Sequence, residues 1–259
     1  ASVNSAPSAF VGSLEPRPLH SPVIHPILAI VPARGGSKGV PRKNVAPLAG
    51  RPLLAWTADT VGQSRVIDRT VLTTDDDEIA EVGRAAGLDV PFMRPPELAR
   101  DDTPTLPVLQ HVVDELLRAE DWRPEAVVLL EPTCPLRRGE DVDRCVSMLF
   151  ERDATAAITV EPIPPTYNPH WALLEDDAGR LRWAMGEREP IPSRQRLPEA
   201  WHRSGAIYVT RTDVLMAGSL YGDSPVGYKM PAGSCPDINT QEDFERVARR
   251  IEEGGWGEE

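Results

Sequence analysis

Residues 27–44 read ILAIVPARGGSKGVPRKN, an apolar run that passes directly into glycines interleaved with cations. The apolar run, Ile27 to Val31, predicts a strand that is buried on both faces of a sheet. The glycines that follow allow the backbone to approach a ligand closely and to point its N–H groups at it. The interleaved cations are Arg34, Lys38 and Lys43. Because ligands of open parallel sheets bind beyond the carboxyl ends of the strands, this loop predicts a polyphosphate site.

Two familiar phosphate-binding motifs are excluded by the spacing of the glycines. The loop contains neither the GxGxxG run of dinucleotide-binding folds nor the GxxxxGK[ST] pattern of P-loops. Its adjacent glycines, Gly35 and Gly36, could by themselves form a simple turn. The three cations beside them favour the phosphate interpretation over that alternative.

Strand-like and helix-like segments alternate from this loop to about residue 160. The predicted strands are 69–73, 89–93, 126–130, 154–160, 206–209 and 226–230, and the predicted helices are 53–61, 77–86, 106–117, 142–149 and 240–251. Such alternation is typical of βαβ units with helices on both faces of a sheet. We therefore predict the α/β class, in a three-layer αβα Rossmann-like fold with a mostly parallel sheet.

Two segments depart from this alternation. Residues 1–24 are rich in Ser and Pro and lack apolar periodicity, which predicts a disordered leader ahead of one domain at 25–259. Residues 161–203 are rich in Pro and contain three of the six tryptophans. A structureless connection of that length is unusual in a compact domain. We predict an inserted arm that packs against a second subunit in a homodimer.

The composition excludes several classes of protein. A net charge of −12 argues against general nucleic-acid binding, and no apolar run approaches the roughly 20 residues that span a membrane. The three cysteines form no CxxC pair, so free thiols in a cytoplasmic protein are expected. The stretch 17–58 holds six Lys and Arg and no Asp or Glu. That local charge indicates a site for a small polyanion, with a solvated basic face as the alternative.

Five blocks of the sequence resemble, in order, the acylneuraminate cytidylyltransferases, the family that makes CMP-sialic acid and related activated sugar acids. The blocks are ILAIVPARGGSKGVPRKN at 27–44, TTDDDEIA at 73–80, RPPELARDDTPT at 94–105, LLEPTCPLR at 129–137, and SGAIYV with DINTQEDF at 204–209 and 237–244. The first block is highly specific, and the others gain weight from their order and spacing. The resemblance implies a nucleotidyltransferase fold, CTP and a sugar acid as substrates, Mg²⁺ as cofactor, and release of pyrophosphate.

The resemblance also implies roles for individual residues. The catalytic cations would be Arg34, Lys38 and Lys43, with Lys43 at the α-phosphate and the other two at the β- and γ-phosphates. Asn44 and the backbone near Ala33 would recognise cytosine. The complete nucleotide site would be Ala33, Arg34, Gly35, Gly36, Ser37, Lys38, Lys43, Asn44, Arg94 and Thr105. Alternatively, Asn44 caps a turn, and the last two are ordinary loop residues.

The chain departs from the family pattern at two positions near the expected metal site. The family usually has Asp-Ile-Asp where this chain has Asp237-Ile238-Asn239, and it usually has Gln where this chain has Glu131. An amide oxygen binds Mg²⁺ less strongly than a carboxylate. Our hypothesis is that Glu131 replaces the missing carboxylate, so that Asp237, Asn239 and Glu131 together bind the metal. Alternatively, Glu131 recognises an amine or hydroxyl group of the acceptor.

The acceptor site is harder to interpret. Arg194 and Arg203 lie in the stretch where the family contacts the sugar, and arginine suits bidentate binding of a carboxylate. Together with Glu131 they are the predicted acceptor-binding residues, although surface solvation is an equal alternative for Arg194. The acidic run 75–77 is expected to begin a helix, where negative charge complements the helix dipole, with metal binding as the alternative.

Two other functions compete with CMP transfer. A nucleotide-sugar-dependent glycosyltransferase can share an α/β nucleotide-binding fold and an acidic metal motif, but the dense cationic loop favours a triphosphate. A CTP-binding protein without turnover is conceivable because Asn239 lacks a carboxylate. The motifs do not name the acid that would accept CMP.

Overall fold

The computed structural model describes residues 25–36 and 39–254. The predicted leader, residues 1–24, lies outside the described residues, as do residues 255–259. Ser37 and Lys38 of the cationic loop also lie outside them. Among the helices of the described ranges, none combines the length and the apolarity that crossing a membrane requires.

A six-stranded sheet forms the centre of the fold. The strands are β1 (Ile27–Pro32), β2 (Pro47–Leu48), β3 (Arg51–Pro52), β4 (Arg69–Thr73), β5 (Ala126–Leu129), β6 (Ala156–Pro162), β7 (Leu173–Glu175), β8 (Leu181–Trp183), β9 (Trp201–Arg211) and β10 (Pro225–Lys229). The main sheet has the order β10-β6-β9-β5-β1-β4, and β2–β3 and β7–β8 form separate antiparallel pairs. Within the main sheet only β9 is antiparallel to its neighbours, as far as the described strands go. The predicted mostly parallel sheet is confirmed.

Helices cover both faces of this sheet. They are α1 (Leu53–Gln63), α2 (Asp77–Ala85), α3 (Thr105–Glu120), α4 (Gly139–Glu151), α5 (Thr212–Met216) and α6 (Gln241–Glu252). Ile27, Ala29 and Val31 of β1 pack in the core cluster that includes residues of α1, α2, α4 and α6. Leu28 and Ile30 pack in a second cluster with α3 and α5. Burial on both faces explains why β1 reads as an unbroken apolar run, and it confirms the predicted three layers.

One predicted strand is wrong. In the fully described segment 89–93, only Asp89 forms a bridge, to Val71 of β4, and the Leu72 N–H donates to the Asp89 carbonyl oxygen at 2.8 Å. Pro91 follows two residues later and has no N–H with which to continue the ladder. The apolar side chains of this segment misled the strand prediction.

Two helix starts agree with the sequence. Thr240 caps α6: its hydroxyl accepts from the Asp243 N–H at 3.2 Å, and the Asp243 carboxylate accepts from the Thr240 N–H at 2.9 Å. Asp76 caps α2 by accepting from the Ile79 N–H at 3.0 Å. The acidic run 75–77 therefore begins a helix, as expected.

The predicted arm is shorter in the structure, because both of its ends lie in strands. β6 continues to Pro162 and β9 begins at Trp201, and these two residues pair. The antiparallel pairing joins residues about 40 positions apart, so local composition does not reveal it. Between the two strands the chain forms the β7–β8 hairpin and the 3-10 turns Pro165–Tyr167, Pro169–Trp171 and Arg194–Arg196.

Candidate active site

The cationic loop leaves β1 at the carboxyl edge of the sheet, where the order of strands changes direction. From β1 the chain passes to β4 on one side and later to β5 on the other. Crevices at such switch points are where open α/β sheets bind ligands. Glu131 lies two residues beyond the end of β5, and it borders the same crevice as Arg34 and Lys43 of the loop.

Three adjoining cavities occupy this crevice, and Glu131 lines each of them. The first cavity, of about 270 Å³, is lined by Arg34, Gly36, Lys43, Asn44, Asp237 and Asn239, among others. The second, of about 150 Å³, includes Arg34, Arg94, Arg100, Thr103 and Thr105. The third, of about 360 Å³, includes Thr105, Arg203, Tyr208, Tyr221 and Asp237. The fold thus brings together residues from most of the motif blocks.

Lys43 joins the cationic loop to the turn at 237–239. Its Nζ donates to the backbone carbonyl oxygen of Ile238 at 2.8 Å. Burial lowers the pKa of Lys43 below its ordinary value, and the negative charges of Asp237 and Glu131 oppose that shift. Because an ammonium group has three donors, this bond leaves donors for a ligand anion in the first cavity.

The turn at 237–239 packs tightly against both neighbouring loops. The Ile238 N–H donates to the Thr133 carbonyl oxygen at 2.8 Å. Gly39 approaches so closely that a Cβ there would lie 1.9 Å from the Asn239 carbonyl oxygen. Within the turn, Asn239 Nδ2 donates to Asp237 Oδ2 at 2.8 Å. The loop after β1, the turn after β5 and the turn at 237–239 therefore form one packed unit.

The backbone next to Glu131 is held by Arg137, to which the sequence analysis gave no role. This fully buried guanidinium donates to the carbonyl oxygens of Glu131 at 2.6 Å and Ala206 at 2.8 Å. It also donates to the Thr57 hydroxyl at 2.9 Å. A cation within the motif block LLEPTCPLR was the signal that could have identified it. Arg137 ties the turn after β5 to β9 and α1.

The Glu131 carboxylate has an unusual environment. It forms no hydrogen bond or salt bridge with another side chain in the described part of the chain. Burial raises its pKa above the ordinary value, repulsion from Asp237 adds to the increase, and the charges of Arg137, Lys43 and Arg203 oppose it. Burying a carboxylate is costly unless a cation or a hydrogen-bond donor approaches it.

Carboxylates contact the cationic loop. Asp75 accepts from the Gly35 N–H at 3.0 Å, and Arg34 pairs with Asp101. Arg42 pairs with Asp76 at 2.6 Å, and this ion pair lowers the pKa of Asp76. The loop donors thus already bind oxygen anions, which is the chemistry that a phosphate would present.

Three predicted nucleotide-site residues are held by bonds within the crevice wall. The Ala33 N–H donates to the Thr73 carbonyl oxygen at 3.0 Å, and the buried Asn44 donates from Nδ2 to the Arg34 carbonyl oxygen at 3.0 Å. The buried Arg94 donates from Nε to the Thr73 hydroxyl at 3.2 Å. Burial lowers the pKa of Arg94 to about 10. Asn44 lines the first cavity and Arg94 the second, whereas Ala33 is not among the described residues that line the three cavities. The predicted Ser37 and Lys38 lie outside the described residues.

The two predicted acceptor-binding arginines have different positions. Arg203 lines the third cavity, where its NH1 donates to the Tyr221 hydroxyl at 3.2 Å. Arg194 is exposed in a 3-10 turn of the arm, and it is not among the described residues that line the three cavities. Tyr208 and Tyr221 also border the third cavity, and neither was predicted from the sequence as a site residue.

The residues at the first cavity are compatible with a magnesium ion. Within residues 25–36 and 39–254, no group of three or more His, Cys, Asp and Glu side chains has metal-binding geometry. The predicted metal ligands would not form such a group, because they comprise only two carboxylates, Asp237 and Glu131, together with the amide of Asn239. Such oxygen donors suit Mg²⁺, which also takes phosphate oxygens and water. A cation would relieve the repulsion from Asp237 that raises the pKa of Glu131.

Comparison with known proteins identifies the family. Residues 28–214 match the protein family described as cytidylyltransferase. The CMP-N,N'-diacetyllegionaminic acid synthase of Campylobacter jejuni is 30% identical over 225 residues, which cover 85% of this chain and 93% of that protein. The post-translational flagellin modification protein B of Campylobacter coli is 27% identical, over 88% of this chain and 95% of that protein.

A solved structure shares the fold. The CMP:2-keto-3-deoxy-manno-octonic acid synthetase complexed with CTP matches with a TM-score of 0.65 and 18% identity, over 88% of this chain and 99% of that chain. At this identity the match bears on the fold alone. The family resemblance and the nucleotidyltransferase fold predicted from the sequence are both confirmed.

Proposed function

The chain belongs to the cytidylyltransferase family, and from that premise we propose that it transfers CMP from CTP to the hydroxyl group of a sugar acid and releases pyrophosphate. One observation carries the proposal: a cavity walled by the cationic loop adjoins a cavity that contains Arg203, and Glu131 and Asp237 line both. A triphosphate and an acid would therefore meet beside these two carboxylates. Names of similar proteins that describe CMP-sugar-acid synthesis support the same reaction.

We place the triphosphate in the first cavity and the pyrimidine in the second. Arg34, Lys38 and Ser37 would bind the β- and γ-phosphates with the N–H groups of Gly35 and Gly36, and Lys43 would bind the α-phosphate. Because Asp75 and Asp101 contact these donors in the free protein, phosphate oxygens would replace carboxylate oxygens there. Arg94 and Thr105 would contact the cytidine in the second cavity, and Asn44 of the adjoining first cavity, with the backbone near Ala33, would recognise cytosine.

The reaction is an in-line displacement at phosphorus. The acceptor oxygen forms a bond to the α-phosphorus, the bond from that phosphorus to the bridging oxygen breaks, pyrophosphate leaves, and the hydroxyl proton passes to solvent. Lys43 stabilises the charge on the transferring phosphate, and Arg34 and Lys38 stabilise the leaving pyrophosphate. Arg203 orients the acceptor by its carboxylate.

We further propose that Asp237, Asn239 and Glu131 bind Mg²⁺. When bound, the ion would neutralise phosphate charge and lower the pKa of the attacking hydroxyl group. Glu131 then compensates for the carboxylate that Asn239 lacks. The position of Glu131, shared by the first cavity and the third, also fits the alternative contact with the acceptor.

A homodimer is part of the proposal. The hairpin β7–β8 forms a sheet separate from the main one, and together with the turn after it exposes large apolar side chains, namely Leu173, Leu174, Leu181 and Met185. A second copy of the chain is the partner that we propose for this surface. Since Arg194 lies on the same arm and outside the three cavities of its own chain, we propose that it reaches the acceptor cavity of the partner subunit.

The three free cysteines support the expected cytoplasmic location.

A substrate panel tests this function. Purified protein with Mg²⁺ is incubated with each of CTP, UTP, ATP and GTP, together with N-acetylneuraminic acid, N,N'-diacetyllegionaminic acid or pseudaminic acid, and pyrophosphate is measured. Pyrophosphate that requires both CTP and one of the acids supports the proposal. CTP binding without turnover by any acid would instead favour a non-enzymatic nucleotide-binding protein.

A further inference from the structure

Arg203 owes its position to an irregularity between β6 and β9. The pairing is regular up to Ile158 opposite Tyr208, and it resumes with Val160 opposite Arg203, so that one residue of β6 faces four of β9. Gly205 lies in this bulge with a φ of +82°, a conformation that favours glycine. Bulges beside active sites commonly redirect a side chain. This one presents Arg203 to the third cavity.

Thr159 holds the bulge together. Its hydroxyl accepts from the Ile207 N–H at 3.0 Å and lies 2.7 Å from the Ser204 hydroxyl, with which it hydrogen-bonds. Thr159 is almost fully buried. The backbone that carries Arg203 is therefore fixed from the neighbouring strand.

The head group of Arg203 is held by a phenol. Its NH1 donates to the Tyr221 hydroxyl at 3.2 Å, and no Asp or Glu of the described residues forms a salt bridge with it. The Tyr221 ring packs edge-on against Tyr208, with the ring centroids 6.3 Å apart. A carboxylate partner would neutralise the guanidinium, as Asp153 does for Arg211. A phenol holds Arg203 in place and leaves its positive charge for a ligand.

The loop that carries Tyr221 is itself fixed. The Thr155 hydroxyl donates to the Tyr221 carbonyl oxygen at 2.7 Å. The Ser219 hydroxyl accepts from the N–H groups of Tyr221 at 3.1 Å and Gly222 at 2.8 Å. The Thr210 hydroxyl donates to the carbonyl oxygen of Leu220 at 2.7 Å. The position of the Tyr221 hydroxyl is therefore built into the fold.

We propose that Tyr221 is a positioning residue that holds the Arg203 guanidinium toward the acceptor's carboxylate and so determines the preference for acids. This inference rests on the proposed CMP transfer. It adds a residue that belongs to none of the motif blocks.

The variant Tyr221→Phe tests it, since the ring that packs on Tyr208 is kept and only the hydroxyl is lost. Steady-state rates are measured with CTP and the acid of the panel that the wild type uses fastest. We expect the KM for the acid to rise about tenfold, the factor that a charge-assisted hydrogen bond of ordinary strength supplies. The kcat should change less than twofold, and the KM for CTP should not change. The matched control is Tyr228→Phe, because the Tyr228 hydroxyl donates to Asp141 and does not line the third cavity.

A double-mutant cycle separates positioning from a structural effect. If Tyr221 acts through Arg203, then Tyr221→Phe should have no further effect on the KM for the acid in an Arg203→Met background. Additive effects of the two substitutions, or an unchanged KM in Tyr221→Phe, would overturn this inference while the proposed function stands. A wild type that turns over none of the acids with CTP would overturn the proposed function and this inference with it.

Discussion

Lys43 Nζ donates to the backbone carbonyl oxygen of Ile238 at 2.8 Å, across 195 positions of sequence. The bond brings the cation of the loop after β1 beside the carboxylate of Asp237. On the proposed function, these two groups face the same α-phosphate, one directly and the other through Mg²⁺. Substitution of Lys43 is therefore a simple test of the proposed reaction.

The variant Lys43→Met removes the ammonium group and keeps the length of the side chain. We expect turnover to fall about 100-fold or more, the effect typical of removing an electrostatic stabiliser from a reacting centre. The control is Arg51→Met, since Arg51 pairs with Asp59 at 2.7 Å and lines none of the three cavities. Both variants should unfold cooperatively near the wild-type temperature. Near-normal turnover by Lys43→Met would remove the loop from the mechanism.

Gly39→Ala tests the close packing of the loop against the turn at 237–239. The new Cβ would lie 1.9 Å from the backbone oxygen of Asn239, so one of the two segments must move. Since misplacement of about 1 Å can reduce a rate about 100-fold, we expect a loss of that order in kcat/KM. Gly62→Ala is the control, because a Cβ there would meet nothing within 4 Å. If both variants keep wild-type kinetics, the packed geometry does not matter for catalysis.

The pair Glu131 and Asn239 tests the proposed exchange of carboxylates around the metal. Glu131→Gln should raise the Mg²⁺ concentration that gives half-maximal rate, because one carboxylate is lost. Asn239→Asp should place a negative charge where an amide now donates to Asp237, and this repulsion should raise the pKa of one carboxylate. The double variant recreates the usual family pattern and should recover much of the activity.

Mg²⁺ titrations of the wild type, the two single variants and the double variant decide whether Glu131 binds the metal or the acceptor. Non-additive effects on Mg²⁺ dependence indicate that the two positions act as a unit. If Glu131→Gln leaves the Mg²⁺ dependence unchanged and alters which acid is used, Glu131 belongs to the acceptor site instead.

The parts of the structure that could be predicted from the sequence depend on interactions between residues close together along the chain. The apolar run of β1 and the capping box of Thr240 and Asp243 depend on residues close in sequence, and both are present. The strand predicted at 89–93 was wrong because the apolar composition of the segment was given more weight than Pro91, which has no N–H to donate to a strand. Strand order at the carboxyl edge then explains why Glu131 and Lys43 border one cavity.

The features that were missed depend on contacts between distant segments. Arg137 bonds to Thr57 and Ala206, which are 80 and 69 positions away, and no local pattern marks those partners. Tyr221 lies in a loop without a motif, and its contact with Arg203 follows from the bulge in β9. The family resemblance identified Arg203 as a candidate acceptor-binding residue, but its hydrogen bond to Tyr221 could be found only in the structure.

The variant Leu181→Glu tests the proposed dimer. Leu181 is 63% exposed on strand β8 of the hairpin, and a carboxylate there should dissociate the dimer because an apolar contact would bury a charge. Sedimentation velocity at micromolar concentration should give a dimer for the wild type and a monomer for the variant. Arg118→Glu is the control, since the Arg118 side chain is 74% exposed on α3 and lies outside the hairpin. A monomeric wild type would contradict the proposal directly.

The transfer of labelled phosphorus distinguishes CMP transfer from CTP binding and from CTP hydrolysis. The protein is incubated with Mg²⁺, a sugar acid of the panel and CTP labelled either at the α-phosphorus or at the γ-phosphorus, and the products are separated. We expect the α-label to appear in a CMP-sugar-acid product and the γ-label to appear in pyrophosphate, and we expect both products to require the acid. An α-label that never joins the acid, whether it stays in CTP or is released as free CMP, would contradict it.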